Sequence, residues 1–295
     1  MDGREHTEGE RREPSALAAV KTYRYLRLAL VGLVVLLFAS LSLEWTAVGR
    51  ECVQPTISAY WHTPVRGVLV GVLVTMGICL IALKGSTDAE DVLLNLAGLL
   101  APGVAFIPTT AFTSCSSVPG SAGDVTAAVS NNMQSLFVLG IIAVVVALVI
   151  VVRERGSVAS LSAWDRVGLA MGFAATAGGA TWFYVSRVTF VEHGHNVAAV
   201  PMFLAIVAAV WVNARDVQQT VEHTPGLRRV RGRYVAMYRS ISVAMAATLA
   251  LAVVGHLADW TYALLVVEVL LITLFGAFWV IQTRELWNQG LREAD

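Results

Sequence analysis

The sequence predicts an all-α fold: a polytopic membrane helix bundle with eight transmembrane helices and both termini in the cytoplasm. The chain is 56% hydrophobic and only 14% charged, whereas a soluble domain carries about 25% charged residues. Its apolar residues fall into eight windows long enough to cross a bilayer. Most of its basic residues lie on alternate connections between these windows, and this alternation indicates an orientation.

Each window has about the 17–25 residues that an α-helix needs to cross a hydrocarbon core about 30 Å thick. The windows are 26–44, 65–83, 92–109, 133–152, 166–186, 197–213, 236–257 and 261–281. Pro102 interrupts the third window, but a helix inside a bundle tolerates a proline because its neighbours satisfy the freed backbone groups. Glu44 and Trp45 follow the first window without a small-residue cleavage site, which favours a retained anchor over a signal peptide.

The basic residues fix the predicted orientation. They gather in the N-terminal tail, around Lys84, in the 153–166 and 214–235 connections, and in the C-terminal tail. Three fall on the opposite side: Arg50, Arg66 and Arg187. Because basic connections stay in the cytoplasm, the sequence predicts a multi-pass protein of the cell inner (cytoplasmic) membrane. The excess of Arg over Lys, with abundant Ala and Val, is typical of a GC-rich bacterial genome.

One membrane domain, residues 21–284, is predicted between two cytoplasmic tails. Residues 1–20 are charged and poor in apolar groups, which predicts disorder, and residues 285–295 form the C-terminal tail. The LRRVRGRY run in 214–235 either acts as a topology signal or holds anionic lipid headgroups. Membrane lipids and a membrane-protein partner are therefore expected, whereas the net charge of zero gives no reason to expect nucleic acid.

Short local patterns predict where two helices begin and how they pack. Thr63 and Pro64 are typical of an N-cap and a first helical position, and open the second helix. Thr87 and Glu90 form a capping-box pattern that opens the third. Small residues at helical spacing let helices approach closely, and they recur on helices two and five: Gly67 and Gly71, and Gly168, Gly172, Thr176 and Ala180.

The three cysteines have different predicted locations. Cys52 and Cys115 fall on the first two outer connections, whereas Cys79 lies inside the second helix. Two cysteines that face an oxidising compartment are able to pair, so a disulfide between Cys52 and Cys115 is predicted. The alternative is two unrelated thiols, because sequence does not fix the distance between their Cα atoms.

Polar residues gather on the predicted outer connections and at helix ends. Those predicted to line an outward-facing, ligand-binding pocket are Ser58, His62, Arg66, His195 and Glu268. Glu268 lies inside the eighth window, where an ionisable group usually faces the bundle interior and has a partner. It is the candidate catalytic residue, and the alternative role is a structural hydrogen bond to a neighbouring helix.

Histidines on the outer side raise the question of a metal. The four candidates are His62, His193, His195 and His256. Three such ligands with an open position would make a catalytic zinc site. The alternative is that these interfacial histidines contact water or headgroups. The prediction is therefore no cofactor, with zinc as the alternative.

Ser58-x-x-x-His62 resembles an element of the alkaline ceramidase and adiponectin-receptor superfamily. The resemblance implies a membrane hydrolase that holds zinc through this element, a further Asp and a His-xxx-His pair. Here the second histidine pair has a different spacing and no Asp follows His62 within the second helix. Pro64 also favours a loop at this position, so the hydrolase activity is not carried over.

A broader set of short elements is similar to a family of uncharacterised bacterial multi-span membrane proteins. The elements are Ile57–Arg66 (Ile-Ser-Ala-Tyr-aromatic-x-Thr-x-x-Arg), Asp91–Gly98, His195–Ala199, Tyr238-Arg239, and Trp260 and Glu268 before Phe275–Trp279. They span most of the chain. This resemblance implies a shared eight-helix or similar fold and brings no reaction with it.

Three functions remain open on the sequence alone. The leading hypothesis is an integral membrane protein whose outward pocket binds a lipid headgroup, a small molecule or a partner protein, without catalysis. One alternative is a metal-dependent hydrolase acting on an outer-leaflet lipid. The other is an ion-coupled transporter that uses Glu268.

Overall fold

The computed structural model describes residues 3–49, 52–109, 122–223 and 228–288. All regular secondary structure in these ranges is helical, which confirms the all-α prediction. The α-helices are α1 (Gly3–Val48), α2 (Arg66–Ala82), α3 (Asp88–Phe106), α4 (Ala122–Arg155), α5 (Ala163–Phe173), α6 (Gly179–Val185), α7 (Arg187–His223), α8 (Arg228–Leu257) and α9 (Ala263–Glu285). Two 3-10 turns, Ser58–His62 and Val158–Ser160, and a π-turn, Ala174–Gly178, complete the described elements.

Six helical segments in the described ranges are long and apolar enough to cross a membrane. They are Leu17–Val48, Asp88–Phe106, Val125–Arg155, Arg187–Thr220, Gly232–Leu257 and Ala263–Glu285. Helix α2 is apolar but has only 17 residues. The fifth predicted window forms α5, the π-turn and α6, which have 11, 5 and 7 residues and follow one another directly. These features fit a multi-pass membrane protein.

Several helices extend beyond the apolar windows. Helix α1 begins at Gly3, so the helix continues through residues that composition predicted to be disordered. Helices α4 and α7 have 34 and 37 residues. Both helices carry polar residues at their ends, so they project past their apolar parts.

The helices form a closed ring with a peripheral group beside it. In the ring, each helix packs on the next in the order α1, α2, α3, α7, α8, α9 and back to α1. Helices α4, α5 and α6 lie outside the ring, where α4 and α5 pack against α3. The apolar part of α4 is only 11% buried, whereas that of α3 is 50% buried. Helix α4 is therefore the most peripheral span.

The structure agrees with one predicted helix start more closely than with the other. The Thr87 cap is confirmed: its hydroxyl accepts the Glu90 N–H at 3.2 Å. The Glu90 carboxylate bonds the N–H of Ser86 at 2.8 Å. The predicted cap at Thr63 is confirmed in part: α2 begins only at Arg66, but the Thr63 hydroxyl accepts the N–H of Val65 at 3.3 Å. Thr63 also closes the preceding 3-10 turn, where its N–H and hydroxyl both donate to the carbonyl of Tyr60.

The close approach between α2 and α3 uses glycines other than those the spacing predicted. Gly67 and Gly71 are not at a helix contact, since a Cβ at either would have no atom within 4 Å. Gly77 and Gly98 are in contact instead, and a Cβ on either would lie 2.6 Å from the other's carbonyl oxygen. Only glycine allows these two backbones to lie so close.

Candidate functional site

The connection between α1 and α2 folds into the bundle instead of lying on its surface. Nine of its described residues are buried: Gln54, Thr56, Ile57, Ser58, Ala59, Tyr60, Trp61, Thr63 and Val65. Backbone polar groups of such a non-helical segment need partners inside the protein. We call residues 54–63 the inserted turn, and its partners define the site.

Tyr60 anchors the inserted turn to the end of α1. Its hydroxyl accepts hydrogen bonds from the indole N–H of Trp45 and from the backbone N–H of Gln54, the second at 3.1 Å. A further bond joins the turn to α9, where the N–H of Leu265 donates to the carbonyl of Pro55 at 3.1 Å. The inserted turn is therefore attached to α1 and to α9, which are neighbours in the ring.

Glu268 contacts the inserted turn from α9. Its Oε2 accepts the backbone N–H of Ile57 at 2.5 Å. The sequence predicted that this ionisable group would have a partner in the bundle, and the partner is a backbone amide. This bond fixes both the position of the turn and the orientation of the Glu268 carboxyl group.

His195 contacts the inserted turn from α7. Its Nδ1 lies 2.7 Å from the carbonyl oxygen of Ile107 and 3.2 Å from the hydroxyl of Ser58. A carbonyl only accepts, so Nδ1 carries the proton and donates to Ile107. In the neutral ring Nε2 then keeps the lone pair. Because Nδ1 already bears hydrogen, it does not accept the Ser58 proton, and this geometry does not activate Ser58 as a nucleophile.

These groups surround one small cavity. Ser58, His195 and Glu268 line a space of about 40 Å³ together with apolar side chains of α1, α2, α3, α7 and α9. A water-sized group needs about 10–15 Å³ of such space, so the cavity has room for about three. We call this the polar cavity. Three of the five predicted pocket residues thus converge on it.

The other two predicted pocket residues lie elsewhere on the turn. His62 Nε2 is 3.1 Å from the carbonyl oxygen of Thr109. The guanidinium of Arg66 lies 3.5 Å from the ring centre of Trp61, in a cation–π contact. Neither side chain lines the polar cavity, so both serve to hold the turn against its neighbours.

The candidate metal ligands do not come together. His193 is exposed, with its Nε2 3.9 Å from the carboxylate of Glu192, and His256 is exposed at the end of α8. Within the described ranges, no three His, Cys, Asp or Glu side chains are placed to hold a metal ion. The zinc hydrolase alternative therefore has no ligand set in this part of the chain.

Only one of the two cysteines of the predicted disulfide lies among the described residues. Cys52 is disulfide-bonded, whereas Cys115 lies outside the described residues. Cys79 is a buried free thiol. The pairing of Cys52 with Cys115 thus stays a prediction.

Sequence reasoning missed the backbone groups of the site. The carbonyl oxygens of Ile107 and Thr109, at the end of α3, accept hydrogen bonds from the rings of His195 and His62. The available signal was Pro108, because a helix ends at or before the residue that precedes a proline. Carbonyls exposed at such an end need donors from elsewhere.

Known proteins add nothing to this geometry. No protein-family model, no curated protein and no solved structure matches the chain. The two motif resemblances stay predictions.

Proposed function

We propose that this chain is an eight-span protein of the cytoplasmic membrane with both termini in the cytoplasm. Helix α2 and the column of α5, the π-turn and α6 supply the two spans beyond the six long helices. The 17 residues of α2 meet the lower limit for a span. The basic connections, which alternate with acidic or neutral ones, support this orientation.

The proposed role of the outward half is to bind a cationic hydrogen-bond donor, such as the amine of a lipid headgroup or of a small molecule. One observation carries this proposal: Ser58, His195 and Glu268 come from three elements and line a single cavity. Glu268 offers a carboxylate, and the unprotonated nitrogen of His195 offers a lone pair. A ligand that complements these acceptors has to donate hydrogen bonds to them.

The volume of the polar cavity narrows the ligand further. Space for about three water-sized groups admits an ammonium with one or two carbons. It does not admit a trimethylammonium group without movement of the inserted turn. The proposed ligand group is therefore a primary amine.

Thermal unfolding of the purified protein in detergent tests this role. A ligand at about 100 times its Kd stabilises the folded state by about 2.7 kcal/mol. We expect ethanolammonium chloride to raise the Tm, and choline chloride at equal ionic strength to leave it unchanged. Glu268→Gln should abolish the shift, whereas Glu192→Gln, which changes an exposed acid, should retain it. Equal shifts with both salts, or a full shift in Glu268→Gln, would contradict the proposal.

An ion-coupled transporter is the second candidate, and one observation favours it. Glu268 bonds a non-helical segment inside the bundle, and coupling-ion sites of transporters form at such segments. Uptake of methylammonium into proteoliposomes, driven by an imposed pH gradient, distinguishes transport from binding. Uptake that Glu268→Gln abolishes supports the transporter, and ligand-induced stabilisation without uptake supports binding alone.

A further inference from the structure

A second, larger space lies between peripheral helix α4 and the helices α3, α5, α6 and α7, on the opposite face of α3 and α7 from the polar cavity. It consists of two adjoining chambers, an outer one of about 470 Å³ and an inner one of about 590 Å³. Protein interiors are otherwise close-packed, and each chamber falls in the range of about 300–1,000 Å³ typical of ligand sites. We call the two chambers together the α4 groove.

The two chambers differ in chemistry. The outer chamber is apolar and is lined by side chains such as Leu100, Met133, Phe137, Trp182 and Phe190. The inner chamber shares the apolar wall but has a polar end. That end is formed by Asp91, Asn95, Glu154, Arg155 and Asp165. A space that is apolar over most of its length and charged at one end matches an amphipathic molecule.

Gly140 and Thr176 lie where the chambers meet, since both residues line both spaces. A Cβ at Gly140 would lie 2.8 Å from the Thr176 methyl carbon, so α4 and the π-turn are in close contact here. Thr176 is only 7% exposed, and its hydroxyl has no hydrogen bond among the residues that the structure describes. Single π-turns within α-helices are frequent at functional sites.

The charges at the polar end indicate which amphipathic molecule fits. Asp91 is already paired with Lys84, at 2.6 Å, and Asp165 interacts with the same ammonium over a longer distance. Glu154, Arg155 and Asp165 form no ion pair within the described part of the chain. Two carboxylates and one guanidinium complement a zwitterion, because Arg binds phosphate and carboxylates bind ammonium.

We infer that the α4 groove binds one phospholipid with a primary-amine headgroup, of the phosphatidylethanolamine type. Its phosphate contacts Arg155, its ammonium lies between Glu154 and Asp165, and an acyl chain runs along Leu96 and Leu99, which line both chambers, into the outer one. In the proposed orientation this lipid comes from the cytoplasmic leaflet. The site is separate from the polar cavity and does not depend on it.

Two glycines allow the groove to be filled without a clash. Gly172 lines the inner chamber and Gly178 the outer one. A Cβ at either has no atom within 4 Å, so Gly172→Leu and Gly178→Leu place a side chain in empty space. Gly71 on α2 is also open but lies away from the groove, and Gly71→Leu is the matched control.

Lipid retention is the measurement. The protein is reconstituted in bilayers of equal parts phosphatidylethanolamine and phosphatidylglycerol, re-extracted in mild detergent, and its retained lipids are quantified by mass spectrometry. We expect retained phosphatidylethanolamine in a one-to-one ratio with the protein. Gly172→Leu should reduce it about tenfold, a loss of about 1.4 kcal/mol of binding, while Gly71→Leu retains it. No retained lipid, or equal retention of the two lipids, overturns the inference.

Charge variants test the headgroup even where a filled groove prevents folding. Arg155 and Asp165 are exposed, so Arg155→Gln and Asp165→Asn leave the packing intact. Both should bring the ratio of the two retained lipids towards that of the bilayer. An unchanged ratio in both variants overturns the headgroup assignment. Glu268→Gln should leave lipid retention unchanged, which separates this test from that of the polar cavity.

Discussion

Glu268 and Ile57 are 211 positions apart in the chain, yet the carboxylate of one accepts the backbone N–H of the other at 2.5 Å. The bond joins helix α9 to the inserted turn. The same helix holds the turn a second time, through the bond from the Leu265 N–H to the Pro55 carbonyl. Because the turn also carries Ser58, the shape of the polar cavity depends on this attachment.

Removal of the Glu268 acceptor should loosen the turn. Glu268→Ala leaves the buried N–H of Ile57 without its partner, and a buried donor without an acceptor costs about 1–3 kcal/mol. We expect the free energy of unfolding in detergent to fall by about that amount. Glu268→Gln keeps an acceptor oxygen and should lose less than half as much. The exposed substitution Glu192→Ala should change it little, and equal losses in all three would contradict this role.

His195 should stabilise the site mainly through one nitrogen. Asparagine places its amide nitrogen near the position of Nδ1, so His195→Asn keeps a donor for the Ile107 carbonyl, whereas His195→Ala removes it. An unsatisfied buried group costs about 1–3 kcal/mol, which is the expected loss for the alanine variant. In unfolding experiments the wild-type protein should be the most stable, His195→Asn less stable, and His195→Ala the least stable. His193→Ala, at an exposed position, should be near neutral, and equal stability of the Asn and Ala variants would argue against the Nδ1 donor.

The sequence predicted the elements of this fold better than their contacts. The apolar windows indicate the helices because each has to be apolar to cross lipid, and Thr87 indicates a helix start because only a few side chains cap one. Glu268 stood out because an ionisable group in a span needs a partner. The partner itself, the N–H of Ile57, has no sequence signature, since every residue except proline carries one.

The sequence also did not predict which faces of the helices pack together. Gly67 and Gly71 have the spacing of a close helix contact, but α2 uses Gly77. Which face of a helix meets its neighbour is decided by the whole ring, and spacing on one helix does not contain that information. The α4 groove likewise arises from how far α4 stands from α3, which no local pattern encodes.

Gly77 and Gly98 should tolerate no side chain. A Cβ at either would be 2.6 Å from a backbone oxygen, so Gly77→Ala and Gly98→Ala should force α2 and α3 apart. Overpacking typically costs about 1–3 kcal/mol, and thermal unfolding should show both variants destabilised. Gly67→Ala and Gly71→Ala are matched controls in open space, where alanine should stabilise the helix by about 0.5–1 kcal/mol. Destabilisation in all four would indicate a general effect of glycine replacement.

The buried pair of Glu90 and Asn213 should couple α3 to α7. The Asn213 amide donates to the Glu90 carboxylate at 2.9 Å, and Glu90 is only 1% exposed. A double-mutant cycle of the two alanine variants should give a coupling energy of about 0.5–3 kcal/mol. The exposed pair of Gln218 and Glu222, 2.8 Å apart on one helix, should give about 0.2–0.5 kcal/mol. Additive losses at the buried pair would contradict the coupling.

Tyr60 should make the stability of the inserted turn depend on alkaline pH. Burial is the main cause that raises the pKa of this phenol above its ordinary value of 10.0. Because the folded pKa lies above the unfolded one, the contribution of Tyr60 is fully present below pH 10.0 and is lost as the pH rises through the folded value. The protonated hydroxyl also accepts the N–H groups of Trp45 and Gln54, and these buried donors lose their acceptor in phenylalanine.

Tyr60→Phe should therefore be less stable than wild type at neutral pH, by about 1–3 kcal/mol for each donor left without an acceptor. Above the ordinary phenol pKa the wild-type protein should lose stability more steeply than the variant, since only the wild type has this proton to release on unfolding. The difference between the two should narrow as the pH rises. Tyr25→Phe, at an exposed position, should follow the wild-type curve. Parallel curves for wild type and Tyr60→Phe across the alkaline range would show that Tyr60 ionises equally in both states and that its burial does not hold the proton.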